Sequence, residues 1–295
     1  MRALLVVAGV LVFLAGVQLF VFPLRTDRWF AWTVDPPMTA VFLGAAYWSS
    51  LAFEWAAARR RRWCDARISV PTVFVFTTLT LVATLLHVDR FHFGPEHQFG
   101  TRVVTWAWLV VYAVVPVLMV VLVVVQARVP GVDRPRTHAL PSWVRGVIAA
   151  EAVLLLAVGT GLFVVPGRVG SWWPWMLTPL TARAVGAWCI GLGVAAAHAW
   201  YEDDVHRLRP AAWAFLVFAV LQAVALARHG EALDPGRAST WIYVAFLASA
   251  ALIGVVVLVG ASRADRDDAR IVDLRPPAGS DGAVDAPPGR PLPRR

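Results

Sequence analysis

The stretch RALLVVAGVLVFLAGVQLFVFPLRTDRWFAWTVDPPMTAVFLGA, residues 2–45, is written a second time as RGVIAAEAVLLLAVGTGLFVVPGRVGSWWPWMLTPLTARAVGA, residues 145–187. Gly16, Leu19, Phe20, Pro23, Arg25, Trp29, Trp32 and Pro36 return 143 positions later as Gly159, Leu162, Phe163, Pro166, Arg168, Trp172, Trp175 and Pro179. One deleted residue then sets the offset to 142, and Thr39, Ala40, Gly44 and Ala45 return as Thr181, Ala182, Gly186 and Ala187. An apolar segment, a Trp- and Pro-rich hinge and a second apolar segment therefore form a unit that the chain uses twice.

The remainder of the chain has the same character. Its 295 residues are 59% hydrophobic and only 16% charged, well outside the balance of a soluble domain. A helix crossing a bilayer needs about 20 mostly apolar residues. Eight segments qualify: 3–22, 38–58, 70–88, 103–127, 144–165, 180–201, 210–228 and 239–260. The expected fold is all-α and integral to the membrane, with eight transmembrane helices arranged as two four-helix bundles. Both bundles enter the membrane in the same direction, so the repeat is parallel. The expected organisation is a first four-helix unit over 1–127, a cytoplasmic linker over 128–143, a second unit over 144–261 and a disordered cytoplasmic tail over 262–295. The tail, rich in Arg, Asp, Pro and Gly, lacks the apolar surface needed to offset its ordering entropy. The first apolar run resembles a signal peptide, but its internal copy cannot be a leader, so it is read as a helix.

Eight crossings place both termini on one side. That side carries 19 of the 27 arginines, including Arg59, Arg60, Arg61 and Arg62, so the positive-inside rule makes both termini cytoplasmic in the plasma membrane. The net charge of +8 sits beside membrane segments, without an aromatic-interleaved basic domain. Nucleic acid is thereby disfavoured as a partner, and anionic headgroups on the cytoplasmic face are favoured. A protein partner or a second copy of the chain is the other class of partner. Cys64 and Cys189 have neither a metal-ligand spacing nor a plausible disulfide geometry.

The hinges place Trp29, Trp32 and Pro36 in the first copy, and Trp172, Trp175 and Pro179 in the second, at the outer interface. The plain reading is an interfacial aromatic belt; the sharper one is a pair of re-entrant turns lining a vestibule. The outer segment HVDRFHFGPEHQ gathers His87, Asp89, His92, Glu96 and His97, which carry the right atoms for a divalent metal but match no established ligand spacing. Thr77, Thr80 and Thr84 line one helix face, as a polar path or as ordinary back-bonded threonines.

Buried ionisable groups are the default pointers to function inside a membrane. Glu54 lies near the cytoplasmic end of the second helix, within reach of the arginine run. Glu151 lies deeper, in place of Ala8 in the first copy, and His198 on the neighbouring helix is its expected partner for sharing a proton. No cofactor is predicted: haem would want histidines at matching depths, and neither a phosphate loop nor a nucleophile elbow is present.

The phrases WPWMLTPLTARAVGAW, LLHVDRFHF and WLVVYAVVP resemble those of multi-pass membrane proteins of high-GC actinobacteria. No activity is attached to that family, so the resemblance implies a fold and no catalytic residues. Three functional classes remain. A permease-like role for a small solute, ion or lipid is motivated by the duplication and Glu151. A non-catalytic structural or partner-binding role makes the buried charges helix fasteners. A metal-dependent membrane enzyme using the outer His loop is the least favoured.

Overall fold

The computed structural model describes residues 2–60, 62–129 and 131–273, and these residues are almost entirely helical. Eight long helices occur among them: α1 Arg2–Gly16, which continues as a π-helical turn over Val17–Val21, α2 Pro37–Ala58, α3 Ser69–Leu86, α4 Phe99–Ala127, α5 Ser142–Val164, α6 Pro179–Glu202, α7 Val205–His229 and α8 Ala238–Asp273. Their boundaries follow local chemistry. Pro37 and Pro179 occupy the first helical positions of α2 and α6, where a missing N–H costs nothing. Thr178 and Thr181 close a capping box around the start of α6. Asp203 ends α6 in the left-handed region at φ 43°, and Asp204 caps α7.

Six helices are long and apolar enough to cross a membrane, or seven if the segments Gly9–Val21 and Pro23–Trp29, bent by 99°, form one span. Eight were expected, and the difference falls on the first segment and on α2. The former turns sharply at Pro23. The latter has the length, but Tyr47, Ser49, Ser50 and Glu54 dilute its hydropathy. Protein rather than lipid surrounds it: every residue from Met38 to Tyr47 is buried. The opposite extreme is α4, whose Val103, Val110, Val114, Val117, Val121 and Val124 are all exposed, as suits a helix wetted by lipid tails.

Packing links the two parts of the chain closely. Within the first part α1 lies on α2 and α3 on α4; within the second, α5 lies on α6 and α7 on α8. The α1–α2 pair is then covered by α7, through α2, and the α5–α6 pair by α3, through α6. Small residues permit these approaches. A Cβ on Gly44 would lie 2.6 Å from the Phe20 amide nitrogen, and one on Gly186 would lie 2.8 Å from the Gly159 carbonyl oxygen and 3.0 Å from the Phe163 nitrogen. A Cβ on Gly193 would meet Leu156 of α5 at 2.8 Å.

Aromatic side chains fill the space between the two parts. Phe42 of α2 packs on Phe218 of α7 with ring centroids 5.7 Å apart, and Phe76 of α3 packs on Trp188 of α6 at 3.9 Å. Several buried polar groups are paired within this layer. Gln222 donates to the Phe42 carbonyl and accepts from the Tyr243 hydroxyl, and the Tyr47 and Tyr112 hydroxyls meet at 2.5 Å.

The last helix runs to Asp273, twelve residues into the segment expected to be a disordered tail. Its polar extension is not solvated on every side, because Asp265 and Asp268 find cationic and imidazole partners on α7 and the linker. Residues 274–295 of the expected tail lie outside the described residues.

Candidate functional site

The two ends of the bundle differ in chemistry. At the tryptophan-rich end the hinge residues fall into two classes. Trp32 and Trp175 are buried, at 3% and 2% exposure, whereas Trp29 and Trp172 are exposed at 42% and 77%. Each buried ring lies edge-on to an aromatic of the helix that ends its part of the chain: Trp32 to Trp108 at 4.9 Å, Trp175 to Tyr243 at 5.4 Å. Trp175 donates to the Thr39 hydroxyl at 2.9 Å, so its N–H is not wetted. Trp29 and Trp172 thus keep the exposure that an interfacial ring requires, while Trp32 and Trp175 belong to the core. Pro36 is the N-cap of α2 and Pro179 the first residue of α6, beside them.

The histidine segment of residues 87–97 is divided among several partners. His92 Nδ1 donates to the Phe30 carbonyl at 2.9 Å, and Nε2 accepts from Thr33 at 3.2 Å. Burial holds its pKa below the ordinary 6.5. His87 Nε2 accepts from Arg183 at 2.7 Å; burial first, and then this guanidinium, lower its pKa as well. Asp89 pairs with Arg90, and Glu96 with His97. His97 stacks on His92 at 4.2 Å.

Glu151 is 7% exposed and accepts a hydrogen bond from Ser249 of α8. It borders an apolar recess of about 30 Å³ between Ile148, Ala199, Leu208, Phe215 and Val257, a space about the size of one water molecule. The structure does not pair Glu151 with His198. That imidazole instead meets Glu202 at 3.2 Å, one turn along its own helix. Glu54 is partly buried near the end of α2, and Arg59, expected to reach it, lies over the Trp55 ring at 4.3 Å. Thr77, Thr80 and Thr84 each donate to the carbonyl four residues back, at 2.7–2.8 Å, leaving no free hydroxyl proton along that face.

The densest polar chemistry lies at the arginine-rich end, around Glu202, a residue that the sequence did not single out. Glu202, 1% exposed, accepts from Arg67 Nε and Arg207 Nη1, both at 2.6 Å. Arg136 stands 3.7 Å away. The contact to Glu202, more than the opposing effect of burial, raises the Arg67 pKa further. Asp204 accepts four backbone N–H groups, from His206 and Arg207 on one oxygen and Thr137 and His138 on the other, at 3.0–3.3 Å. It therefore caps α7 and holds the linker in the same stroke. Asp203 receives the Leu140 amide and Arg145 Nη1. The signal for this cluster was the run Glu202-Asp203-Asp204 immediately before an apolar helix. The run shows the cap, but its arginine partners are distant in sequence.

Beside this cluster a cleft of about 530 Å³ opens between the ends of α2, α7 and α8, lined by Arg59, Arg60, Arg209, Trp55, Trp213 and Ser262, among others. Trp55 and Trp213 are 60% and 46% exposed. Asp265 takes up the charge of Arg209 at 2.7 Å. The Arg60 Nε is buried without a hydrogen-bond partner among the described residues, and burial, followed by the nearby Arg209, lowers the Arg60 pKa. This cleft is cationic and aromatic-rimmed, and of its three arginines Arg209 alone has a salt-bridge partner among the described residues, Asp265. Compared with protein families, curated proteins and solved structures, the chain matches none of them.

Proposed function

We propose that this chain is a non-enzymatic plasma-membrane protein of eight crossings whose cytoplasmic cleft between α2, α7 and α8 holds the phosphate of an anionic lipid, in a structural or partner-binding role. The carrying observation is a cleft of about 530 Å³ with three arginines and two exposed tryptophans. That size suits a small-ligand site, and Trp at the headgroup layer with Arg beside it suits a lipid surface.

The proposed parallel duplication explains why a place is left for an anion beside Arg60. The end of α6 meets the start of α3 through Glu202 and Arg67. In the equivalent place the end of α2 meets the start of α7, where Arg60 lies near Arg209. At the offset of 142, Arg60 stands where Glu202 stands, and Arg67 where Arg209 stands. One location carries its own carboxylate; the other has an arginine instead, and a lipid phosphate completes it. Repeated Gly44–Phe20 and Gly186–Phe163 approaches support the duplication.

The permease-like alternative rests on the same duplication and on Glu151. Against it weigh the aromatic filling between the two parts of the chain and a recess beside Glu151 the size of one water molecule.

The test compares thermal unfolding in nanodiscs of phosphatidylcholine with and without phosphatidylglycerol. The proposal expects stabilisation by the anionic lipid that weakens as salt is raised and is lost in the Arg59→Gln/Arg60→Gln double variant. Arg60→Glu supplies the carboxylate internally, so it should unfold at the same temperature in both lipids. Equal anionic-lipid stabilisation of wild type and both variants would refute the proposal. Substrate-dependent flux in proteoliposomes, abolished by Glu151→Ala at unchanged protein level, would favour the permease.

A further inference from the structure

We propose that His138, His206 and Asp268 bind one divalent transition-metal ion of the zinc class, which fastens the linker between the two parts of the chain to α7 and α8. The three ligand atoms lie within 4.8 Å of one another. His138 Nε2 is 3.3 Å from Asp268 Oδ1, and His206 Nε2 is 3.8 Å from Asp268 Oδ2. Tetrahedral zinc with bonds of roughly 2.0–2.1 Å puts its ligand atoms about 3.3 Å apart, so closure needs movements well under 2 Å at most, on the order of one rotamer adjustment.

A second observation points to a ligand. His206 is 4% exposed, yet its Nε2 has no hydrogen-bond partner among the described residues. A buried imidazole nitrogen left empty costs free energy, and this one faces the other two ligand atoms. Its other nitrogen, Nδ1, lies 3.4 Å from Asp265 Oδ1, and Asp265 is itself anchored by Arg209 at 2.7 Å. A carboxylate on the far side of a ligating histidine fixes the tautomer that presents a lone pair to the metal. Because Arg209 takes up the charge of Asp265, Asp268 is the carboxylate left for the ion.

The mount is rigid before metal arrives. The His138 amide donates to Asp204, and its carbonyl accepts from Val205 at 3.0 Å, so the linker ligand is tied to the start of the helix that carries His206. Two imidazoles and a carboxylate, with a fourth position open to water, select zinc or a neighbouring transition metal over calcium or magnesium.

The experiment uses the full chain without a histidine tag, in detergent, stripped of metal and dialysed against zinc, with cobalt(II) as the spectroscopic probe. One equivalent per chain is expected, with the intense visible absorption of a four-coordinate cobalt site. Loss of a direct ligand should exceed the 10- to 100-fold loss typical of outer partners, so Asp268→Asn and His206→Gln should bind at least about 100-fold more weakly. Zinc should raise the unfolding temperature of the wild type and leave that of Asp268→Asn unchanged. Asp267→Asn, on the exposed side of the same turn, should bind as the wild type does. If His206→Gln fails to fold, the half-exposed Asp268 still decides the matter. Substoichiometric binding to the wild type, undiminished binding to Asp268→Asn, or binding abolished instead by His92→Gln/His97→Gln would overturn the proposal.

Discussion

Replacing Glu202 with Gln removes one negative charge and nothing of the side chain's length, so it isolates the electrostatic part of the cluster at the arginine-rich end. The carboxylate is 1% exposed and receives two guanidinium N–H groups at 2.6 Å and an imidazole at 3.2 Å. Its partners differ in what they can do afterwards. The Arg67 side chain is 24% exposed and keeps Asp133 at 2.5 Å, whereas the Arg207 side chain is 5% exposed and keeps only a neutral acceptor, the Arg134 carbonyl. A buried charge deprived of its counterion costs about 3–5 kcal/mol, and the partial escape of Arg67 places the expected loss near the lower end, about 3 kcal/mol. For a chain of this size that corresponds to a fall in unfolding temperature of roughly 5 °C. Thermal unfolding followed by tryptophan fluorescence in detergent measures it. Arg207→Met alone should also destabilise, but combined with Glu202→Leu it should recover much of the loss, giving a coupling above about 1 kcal/mol in the cycle. A Glu202→Gln loss below about 1 kcal/mol, or strictly additive effects in the cycle, would show that the cluster is not the fastening argued above.

Other parts of the molecule give equally definite expectations. Gly186→Ala and Gly44→Ala each force a methyl group against backbone at 2.6–2.8 Å. Each should cost about 1–3 kcal/mol in unfolding measurements, while Gly167→Ala, with open space around it, should be neutral. Trp175→Phe leaves the Thr39 hydroxyl without its donor and should cost about 1–2 kcal/mol; Trp172→Phe, at 77% exposure, should be silent in the same assay. Burial depresses the His92 pKa in the folded chain below the 6.5 of the unfolded one, so the unfolded state takes up protons first as pH falls. Its contribution is complete above about pH 6.5 and is lost as pH drops through the folded value. His92→Gln should flatten that part of a stability–pH profile.

The helices were legible because lipid-facing and core-facing segments share an apolar composition, and the duplicated punctuation marked where they turn. Segments expected at 180–201 and 38–58 are realised as Pro179–Glu202 and Pro37–Ala58, with proline at each start. The burial of Trp32 and Trp175 was not legible, since an interfacial ring and a core ring have the same spacing in sequence. Glu151 was noticed because a charge inside an apolar run is conspicuous. Glu202 was not, because a charge at a helix end reads as solvated until its surroundings are known. Its partners Arg67 and Arg207 come from segments 135 residues apart in one case and five in the other, and no pattern along the chain joins the three. The extension of α8 was missed for a related reason: its aspartates look like tail composition until Arg209, His206 and His138 are placed opposite them.

On the proposed duplication, the two ends of the bundle have been treated differently, and physical chemistry gives a reason. Close backbone approaches such as Gly44 on Phe20 and Gly186 on Phe163 are symmetric in their demands, so both copies must keep the small residue. Charge pairing is not symmetric. Two identical copies related by a two-fold axis would bring the same sign to both equivalent junctions, Arg against Arg or Glu against Arg at each. Fusion into one chain lets the junctions differ: Glu202 neutralises Arg67 at one, while at the other Arg60 stands in that place and Arg209 turns to Asp265. The neutralised junction has a polar network that fixes the linker through Asp203 and Asp204. The other stays open, with a cleft of about 530 Å³. A fused pair thus gains one fastened junction and one receptive junction from the same ancestral contact, a division of labour that a symmetric dimer of single units has no means to make.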